Sequence, residues 1–176
     1  MSIKYAYLGP AGTFTEAALI KISEKNDQLI AYANVTAALN AVRNGECQKA
    51  LVPIENSVEG VVARTLDELA IGQPLVITAE TTLPVSFSLM TLSNTNAAQI
   101  KSIATHPHAE SQCRSFIAKN YPNAQVIESS STAAAAKGLG KGDYDAAIAG
   151  SNAAKNYGLK VIAENIGDNT GAITRF

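Results

Sequence analysis

Short apolar runs alternate with longer segments of helical periodicity along most of the 176 residues, and this alternation constrains the fold most. In the first cycle "KYAYLG" at 4–9 predicts a strand, a Gly-Pro turn follows, and "TFTEAALIKIS" at 13–23 predicts a helix. Further strands are predicted at 29–32, 49–56, 101–107, 124–130, 144–150, 159–166 and 172–176, and further helices at 35–46, 60–70, 108–120, 131–142 and 151–158. Strands that alternate with helices of about ten residues favour an α/β fold with parallel strands.

One stretch departs from this alternation. The segment "PLVITAETTLPVSFSLM" at 74–90 is strand-like throughout and contains no helical pattern. A long extended segment suits a chain that crosses from one lobe to another. A second crossing near 160–166 would return the last strand to the first lobe. The sequence therefore predicts two α/β lobes, one built from 1–75 plus 166–176 and the other from 76–165, with two interlobe crossings and a cleft between the lobes.

Composition narrows the classes of function. Apolar residues make up 47% of the chain and the formal net charge is −1, which provides a core but no basic face for nucleic acid. No apolar run approaches the roughly 20 residues of a membrane span, and the first residues lack the pattern of a signal peptide. Cys47 and Cys113 have neither metal-binding nor redox spacing. These features predict a soluble, cytoplasmic protein with reduced thiols and with no nucleic-acid or membrane partner.

Four strand-to-helix turns are rich in small hydroxyl residues, namely "LGPAGTFT", "PIENSVEG", "ATHP" and "ESSSTAA". Ligands of open α/β sheets bind outside the carboxyl ends of the strands, where helix N-termini favour anions. No phosphate loop is present, so carboxylates are the expected ligands. The alternative for each turn is that its Ser and Thr only cap helices.

Other polar residues have weaker signals. His106 and His108 in "THPHAE" could form a metal pair, but no third ligand accompanies them, and no metal site is predicted. Asp143 and Asp145 lie beside a strand start and are interpreted as solvated. Glu55 follows an apolar strand directly, where it would either face the cleft or serve as a surface carboxylate.

The last three residues, "TRF", have a pattern of their own. Side chains alternate between the two faces of a strand, so Thr174 and Phe176 would share one face and Arg175 would lie on the other. If this strand re-enters the first lobe beside the cleft, Thr174 offers a hydroxyl there and Arg175 a cation.

Along nearly its whole length the chain resembles prephenate dehydratases. The segments that carry the resemblance are "YLGPAGTFTEAAL" (7–19), "VPIENSVEGVVARTLD" (52–67), "THPHAESQC" (105–113), "SSSTAAAA" (129–136), "AAIAG" (146–150), "YGL" (157–159) and "ITRF" (173–176). Together, in this order and at the spacing of the family, they form a specific pattern.

The resemblance implies two lobes of periplasmic-binding-protein type, similar to type II, with the active site between them. It also implies conversion of prephenate to phenylpyruvate, water and carbon dioxide in phenylalanine biosynthesis, without a metal or organic cofactor. The residues that it implies for catalysis are Thr174, Glu55 and Gln112, and those for substrate binding are Thr13, Asn56, Ser57, Thr105 and Arg175. Members of the family commonly associate, which predicts a homodimer or a higher homo-oligomer.

The chain departs from the family pattern in two places. Ala172 stands where the family commonly has Asn, with Asn169 as a nearby substitute. No ACT regulatory domain follows Phe176, so the sequence is interpreted as a catalytic domain that ends at its last motif. The alternatives are a non-aromatising prephenate decarboxylase, an arogenate dehydratase and a non-catalytic solute-binding protein.

Overall fold

The computed structural model describes residues 2–176 and divides them into two compact units. The first unit contains the residues up to Val85 together with Ala172–Phe176, and the second unit contains Ser86–Gly171. The chain therefore passes from one unit to the other twice. Within residues 2–176 no sheet is shared between the units, and each unit has its own apolar core, which confirms the predicted α/β class with two lobes.

In the described part of the chain the strands are β1 (Lys4–Leu8), β2 (Gln28–Tyr32), β3 (Lys49–Leu51), β4 (Glu55–Asn56), β5 (Gly60–Val61), β6 (Thr82–Pro84), β7 (Ser88–Thr91), β8 (Ser102–Thr105), β9 (Gln125–Glu128), β10 (Ala146–Ala149), β11 (Lys160–Ala163) and β12 (Ile173–Arg175). The α-helices are α1 (Phe14–Ile22), α2 (Val35–Arg43), α3 (Ala63–Ile71), α4 (Pro107–Ser111), α5 (Arg114–Asn120), α6 (Thr132–Gly138) and α7 (Ser151–Tyr157). Short 3-10 helices cover Ala97–Gln99 and Leu139–Lys141.

The first unit contains two sheets. In one, the order is β2-β1-β3 and both pairings are parallel, as expected for strands joined by α1 and α2. In the other, the order is β5-β4-β12-β6 and every pairing is antiparallel. The last strand of the chain therefore lies in the interior of this second sheet, where β4 and β6 bind its two edges.

The second unit has one sheet of order β11-β7-β10-β8-β9. The pairings of β8 with β9 and with β10 are parallel, whereas β7 runs antiparallel to both of its neighbours. The core beside this sheet consists mainly of alanines from β10, α6 and α7, together with Met90 and Leu139. Small side chains let the helices approach the sheet closely, which accounts for the alanine-rich helical segments of the sequence.

The structure moves both boundaries of the predicted lobes. The first unit extends to Val85 rather than to residue 75, because β6 pairs with β12 and the Val85 N–H donates to the Ala172 carbonyl at 2.7 Å. The segment before β12 belongs to the second unit up to Gly171 rather than up to 165, because the Ile166 N–H donates to the Phe87 carbonyl at 3.0 Å.

Several predicted elements are divided in the structure, among them the extended segment at 74–90, which contains β6 and β7. The strand predicted at 49–56 becomes β3 and β4, which belong to different sheets. The helix predicted at 108–120 is broken at Gln112 and Cys113 into α4 and α5. None of the helices within residues 2–176 has the length and apolar character needed to cross a membrane.

Candidate active site

Alternation along β12 gives the chain end a buried face and an exposed face. Ala172, Thr174 and Phe176 are buried, with 2%, 8% and 7% of their surface exposed, whereas Ile173 is 44% exposed. Phe176 packs into the core of the first unit. The predicted division of this strand, with Thr174 and Phe176 on one face and Arg175 on the other, is confirmed.

Thr174 is positioned by the strands on both of its sides. It lies opposite Asn56 of β4 and opposite Leu83 of β6. The Asn56 amide nitrogen Nδ2 donates to Thr174 Oγ1 at 2.8 Å. Two of the predicted site residues, separated by 118 positions in sequence, are therefore in direct contact.

The direction of this hydrogen bond is fixed by the turn that follows β4. Asn56 Oδ1 accepts the backbone N–H of Val58 at 2.8 Å and that of Glu59 at 3.0 Å. An amide oxygen occupied in this way leaves only the NH₂ group to face the threonine. Thr174 Oγ1 must therefore accept from Asn56.

The hydroxyl hydrogen of Thr174 remains available. A hydroxyl has one donor hydrogen and two lone pairs, and Asn56 uses one of the lone pairs. Among residues 2–176 no acceptor within hydrogen-bond distance takes the hydrogen. Thr174 is thus a buried, fixed hydroxyl that can donate to a ligand.

Ser57 binds the backbone of the same strand, β12. Its N–H donates to the Ile173 carbonyl at 2.9 Å, and its Oγ accepts the Ile173 N–H at 3.0 Å. These two bonds close a ring between the turn and the residue before Thr174. The predicted site residue Ser57 therefore positions β12 in this structure.

Arg175 lies opposite Glu55 in the same strand pairing. Its Nη2 atom is 3.1 Å from Glu55 Oε2 and its Nη1 atom is 3.5 Å from Glu80 Oε2. Because neighbouring residues point to opposite faces of a strand, Glu55 and Arg175 lie on the face away from Thr174 and Asn56. The structure brings the predicted residues together as two pairs, one on each face.

Arg175 also borders a cavity within the first unit. This cavity has a volume of about 540 Å³, and Arg175 and Glu80 contribute to its wall together with Lys49 and apolar residues of α2 and α3. Thr174 does not contribute to this wall. The cavity is therefore separate from the hydroxyl described above.

Thr13 is the N-cap of α1. Its Oγ1 donates to the Leu8 carbonyl at 3.1 Å and accepts the Glu16 N–H at 3.3 Å. The Glu16 carboxylate accepts the Gly12 N–H at 2.7 Å and the Tyr7 hydroxyl at 2.9 Å. An anionic side chain of the protein itself thus occupies part of this helix N-terminus, where a substrate carboxylate was one expectation.

Thr105, in the second unit, ends β8 with 1% of its surface exposed. Its Oγ1 donates to the Ile148 carbonyl of β10 at 2.8 Å. Since its one hydrogen is used within the sheet, this hydroxyl can only accept from a ligand.

Gln112 ends α4 at the break before α5 and is 9% exposed. Its carbonyl accepts the Asp168 N–H at 2.6 Å. Cys113, the next residue, is fully buried, and burial, with a smaller effect of the Asp168 charge, raises the pKa of its thiol to about 12. A thiol with such a pKa is a structural group and not a nucleophile at neutral pH.

The histidine pair and the serine-rich turn act as helix caps. His106 is the N-cap of α4 and its Nδ1 accepts the His108 N–H at 3.2 Å. Ser131 caps α6 by accepting the Ala134 N–H at 3.0 Å. Within the part of the chain that the structure describes, no group of three or more His, Cys, Asp or Glu forms a metal cluster.

The sequence reasoning missed two residues that support the site. Glu80 and Asp168 had no local signal, since their partners Arg175 and Ser115 lie 95 and 53 residues away. Glu16 was recognisable from the sequence as an acid near the positive end of α1.

The family model, a curated relative and a solved structure share one description. The family model described as prephenate dehydratase matches residues 5–176. The prephenate dehydratase of Amycolatopsis methanolica is 46% identical over 173 residues, which is 98% of this chain and 56% of that protein. The crystal structure of a prephenate dehydratase from Arthrobacter aurescens in complex with L-Phe has a TM-score of 0.92 and 47% identity, and the match covers 98% of this chain and 58% of that one.

A third match has a different description. The structure of GqqA, described as a novel type of quorum-quenching acylase, has a TM-score of 0.83 and 25% identity over 98% of this chain and 62% of that one. The chain thus spans less than two thirds of the length of each of these three proteins.

Proposed function

This chain belongs to the prephenate dehydratase family, and on that premise we propose that it is a lyase that converts prephenate to phenylpyruvate, water and carbon dioxide. The reaction would serve phenylalanine biosynthesis. The observation that carries the proposal is the Thr174 hydroxyl, which is buried, accepts from Asn56 at 2.8 Å and keeps its hydrogen for a ligand.

The proposed chemistry suits such a mild group. The bond from C1 to its carboxylate breaks and its electron pair enters the ring, while the C4 hydroxyl leaves with its own pair and takes up a proton to form water. The ring becomes aromatic, which drives the reaction. Catalysis then needs orientation and a donor at the departing oxygen.

We assign that donor role to Thr174. Its hydrogen would bond to the C4 oxygen as negative charge develops there, and the proton of the product water would come finally from solvent. A preorganised donor stabilises the transition state more than the ground state, because the charge that it faces exists only as the bond breaks.

The remaining predicted residues receive supporting roles in the proposal. Asn56 sets the direction of the Thr174 hydroxyl, and Ser57 holds its strand. Gln112 donates to a substrate oxygen and Thr105 accepts from a substrate hydroxyl. Thr13 contributes a substrate contact at the start of α1.

Glu55 and Arg175 form an ion pair on the other face of the strand. Their predicted catalytic and substrate-binding roles are therefore tested separately. Glu55→Gln removes the charge of the carboxylate and keeps its shape. If Glu55→Gln causes a loss of turnover in addition to the losses that the Asn56 and Thr174 variants cause, that result would support a direct role for Glu55.

The first experiment is an assay of prephenate turnover that follows phenylpyruvate by its ultraviolet absorbance in alkali. Wild type, Thr174→Val and Thr174→Ser are compared. We expect turnover in the wild type, partial retention with Ser, and a loss of about 10²–10⁴-fold in kcat with Val, since a positioned acid typically contributes that much.

The same assay separates the alternatives. Consumption of prephenate without an aromatic product would indicate the decarboxylase, and faster turnover of arogenate than of prephenate would indicate an arogenate dehydratase. Binding of prephenate without consumption would indicate a solute-binding protein.

An acylase is a second candidate, because the fold match to GqqA has a TM-score of 0.83. The identity of 25% to that protein against 46% to a prephenate dehydratase favours the dehydratase. Release of a free carboxylic acid from an acylated quorum-sensing signal by this chain, in the absence of prephenate turnover, would reverse that order.

We further propose a cytoplasmic homodimer or higher homo-oligomer. Several large apolar side chains of the first unit are exposed, including Ile71 at 84%, Val76 at 86% and Ile77 at 68%, and such groups of residues favour association. Sedimentation of the purified chain at several concentrations tests this proposal. A single species of about 18.4 kDa, the mass of one chain, would contradict it.

A further inference from the structure

The break between α4 and α5 is bonded locally on its α4 side, where the Gln112 and Cys113 N–H groups donate to the Glu110 carbonyl. α5 begins at Arg114, and its N-cap residue Cys113 makes no side-chain capping bond. The first N–H groups of a helix have no partner inside the helix. The start of α5, which follows Gln112 at this break, therefore depends on contacts from elsewhere.

Asp168 supplies those contacts on both sides of the break. Its N–H donates to the Gln112 carbonyl at 2.6 Å, and its Oδ2 accepts the Ser115 N–H at 3.2 Å. The carboxylate thus acts as the cap of α5 from 53 residues away. A negative charge at a helix N-terminus is also favourable for the helix dipole.

The segment around Asp168 is itself anchored to the second unit. The Ile166 N–H donates to the Phe87 carbonyl at 3.0 Å, and Ile166 is 6% exposed. Gly167 then passes beside Gln112, since a Cβ atom at this glycine would be in ordinary van der Waals contact with the Gln112 carbonyl oxygen, at 3.7 Å. Asp168 therefore reaches the break from a fixed position.

The negative charge of Asp168 also affects the Cys113 thiol at the break. It adds to the effect of burial in raising the pKa of the Cys113 thiol. The carboxylate thus acts on Ser115 through a hydrogen bond and on Cys113 through its electric field.

We propose that Asp168 is a positioning residue for Gln112, one that holds the helix break in the geometry at which the Gln112 side chain reaches a substrate oxygen. This inference rests on the proposed function, in which Gln112 contacts prephenate. It assigns to Asp168 an effect on kcat that operates through Gln112 and not through a substrate contact of its own.

The experiment compares Asp168→Ala, Asp168→Asn and Glu164→Ala. Glu164 is a matched control, because it is an exposed acid of the same segment whose side chain forms no hydrogen bond or ion pair among the described residues. Small displacements of a positioned group can cost up to about a hundredfold in rate, so we expect Asp168→Ala to lower kcat by about ten- to a hundredfold with KM within about twofold. Asn retains an acceptor oxygen and should restore most of the rate, and Glu164→Ala should match the wild type.

A double-mutant cycle with Gln112→Ala isolates the route of the effect. Residues that act through one another are not additive, so Asp168→Ala should lower kcat little further when Gln112 is already Ala. Equal losses in both backgrounds would show a general structural role and overturn the proposal. Full activity of either Gln112→Ala or Asp168→Ala would overturn it as well.

Amide hydrogen exchange provides a readout that does not require turnover. Asp168→Ala should speed exchange at Ser115 by at least about tenfold, whereas Glu164→Ala should not change it. A wild type that does not turn over prephenate would refute the proposed function, and exchange at Ser115 would then test only whether Asp168 stabilises the helix break. Unchanged exchange in Asp168→Ala would refute that stabilisation in either case.

Discussion

The substitution Asn56→Asp tests most directly whether Asn56 orients the Thr174 hydroxyl so that its hydrogen can be donated to the substrate. The aspartate keeps an oxygen for the Val58 and Glu59 N–H groups, which Asn56 Oδ1 accepts at 2.8 and 3.0 Å. It replaces the NH₂ group that donates to Thr174 Oγ1 at 2.8 Å with a second acceptor. The threonine hydrogen would then turn toward the carboxylate and away from the substrate, in a site of almost unchanged shape.

The expected magnitude follows from the role of the donor. Loss of a positioned acid costs about 10²–10⁴-fold in kcat, and each factor of ten corresponds to about 1.36 kcal/mol of activation free energy. Asn56→Asp should therefore raise the barrier by about 2.7–5.4 kcal/mol, close to the effect of Thr174→Val. Asn56→Ala should cost less than Asp, because it removes the directing bond without offering an acceptor.

The assay is steady-state formation of phenylpyruvate at saturating prephenate, so that repulsion between the new carboxylate and a dianionic substrate enters KM and not kcat. Lowering the pH should restore part of the rate of Asn56→Asp, because a protonated aspartate can donate to Thr174 again. If Asn56→Asp kept kcat within about threefold of the wild type while Thr174→Val lost it, the reasoning about hydrogen-bond direction would be refuted.

Three further predictions concern the scaffold. Arg43 and Glu68 are a partly buried ion pair at 3.0 Å, and Arg43 also donates to the Glu68 and Gln73 carbonyls, so Arg43→Ala should lower the midpoint of urea denaturation, and a midpoint equal to that of the wild type would contradict this. The Asp145 carboxylate accepts two backbone N–H groups and the Ser102 hydroxyl at the start of β8, and these bonds, the backbone N–H of residue 101 first, lower its pKa. Its contribution to stability should therefore be present above about pH 4 and be lost as the pH falls through the lowered pKa, and Asp145→Ala should flatten that part of the stability curve. For Cys113, with a pKa of about 12, the unfolded state loses its proton first, so stability should fall between about pH 9 and 12 and fall less in Cys113→Ala; equal slopes would contradict the assignment.

Local patterns were sufficient to predict most of the elements. Alternating apolar runs and helical periodicity predicted β1, α1, β2 and α2 in order, because β1 is a run of consecutive buried residues and the two helices bury residues three or four positions apart. The caps Thr13 and Ser131 were also predictable, since a cap acts within three residues of itself.

Long-range pairing decided what local patterns could not. The boundary at Val85 depends on β6 pairing with β12, about 90 residues later. Asp145 was interpreted as solvated, but its partner Ser102 lies 43 residues earlier. The break at Gln112 also has no local signal, because its stabiliser, Asp168, approaches from a distant segment.

In the candidate site, too, local patterns predict some features and long-range contacts determine the others. The alternation of β12 predicts that Thr174 and Arg175 face opposite ways, but only the pairing of β12 with β4 shows that Asn56 meets the threonine while Glu55 meets the arginine. The direction of the threonine hydroxyl then follows from the amide of Asn56, and the direction of that amide follows from two backbone N–H groups. Each step is set by a neutral hydrogen bond, and neither side chain titrates between about pH 5 and 9. The donor state of Thr174 is therefore built into the backbone of the turn after β4, and it requires no charged group beside the reacting ring.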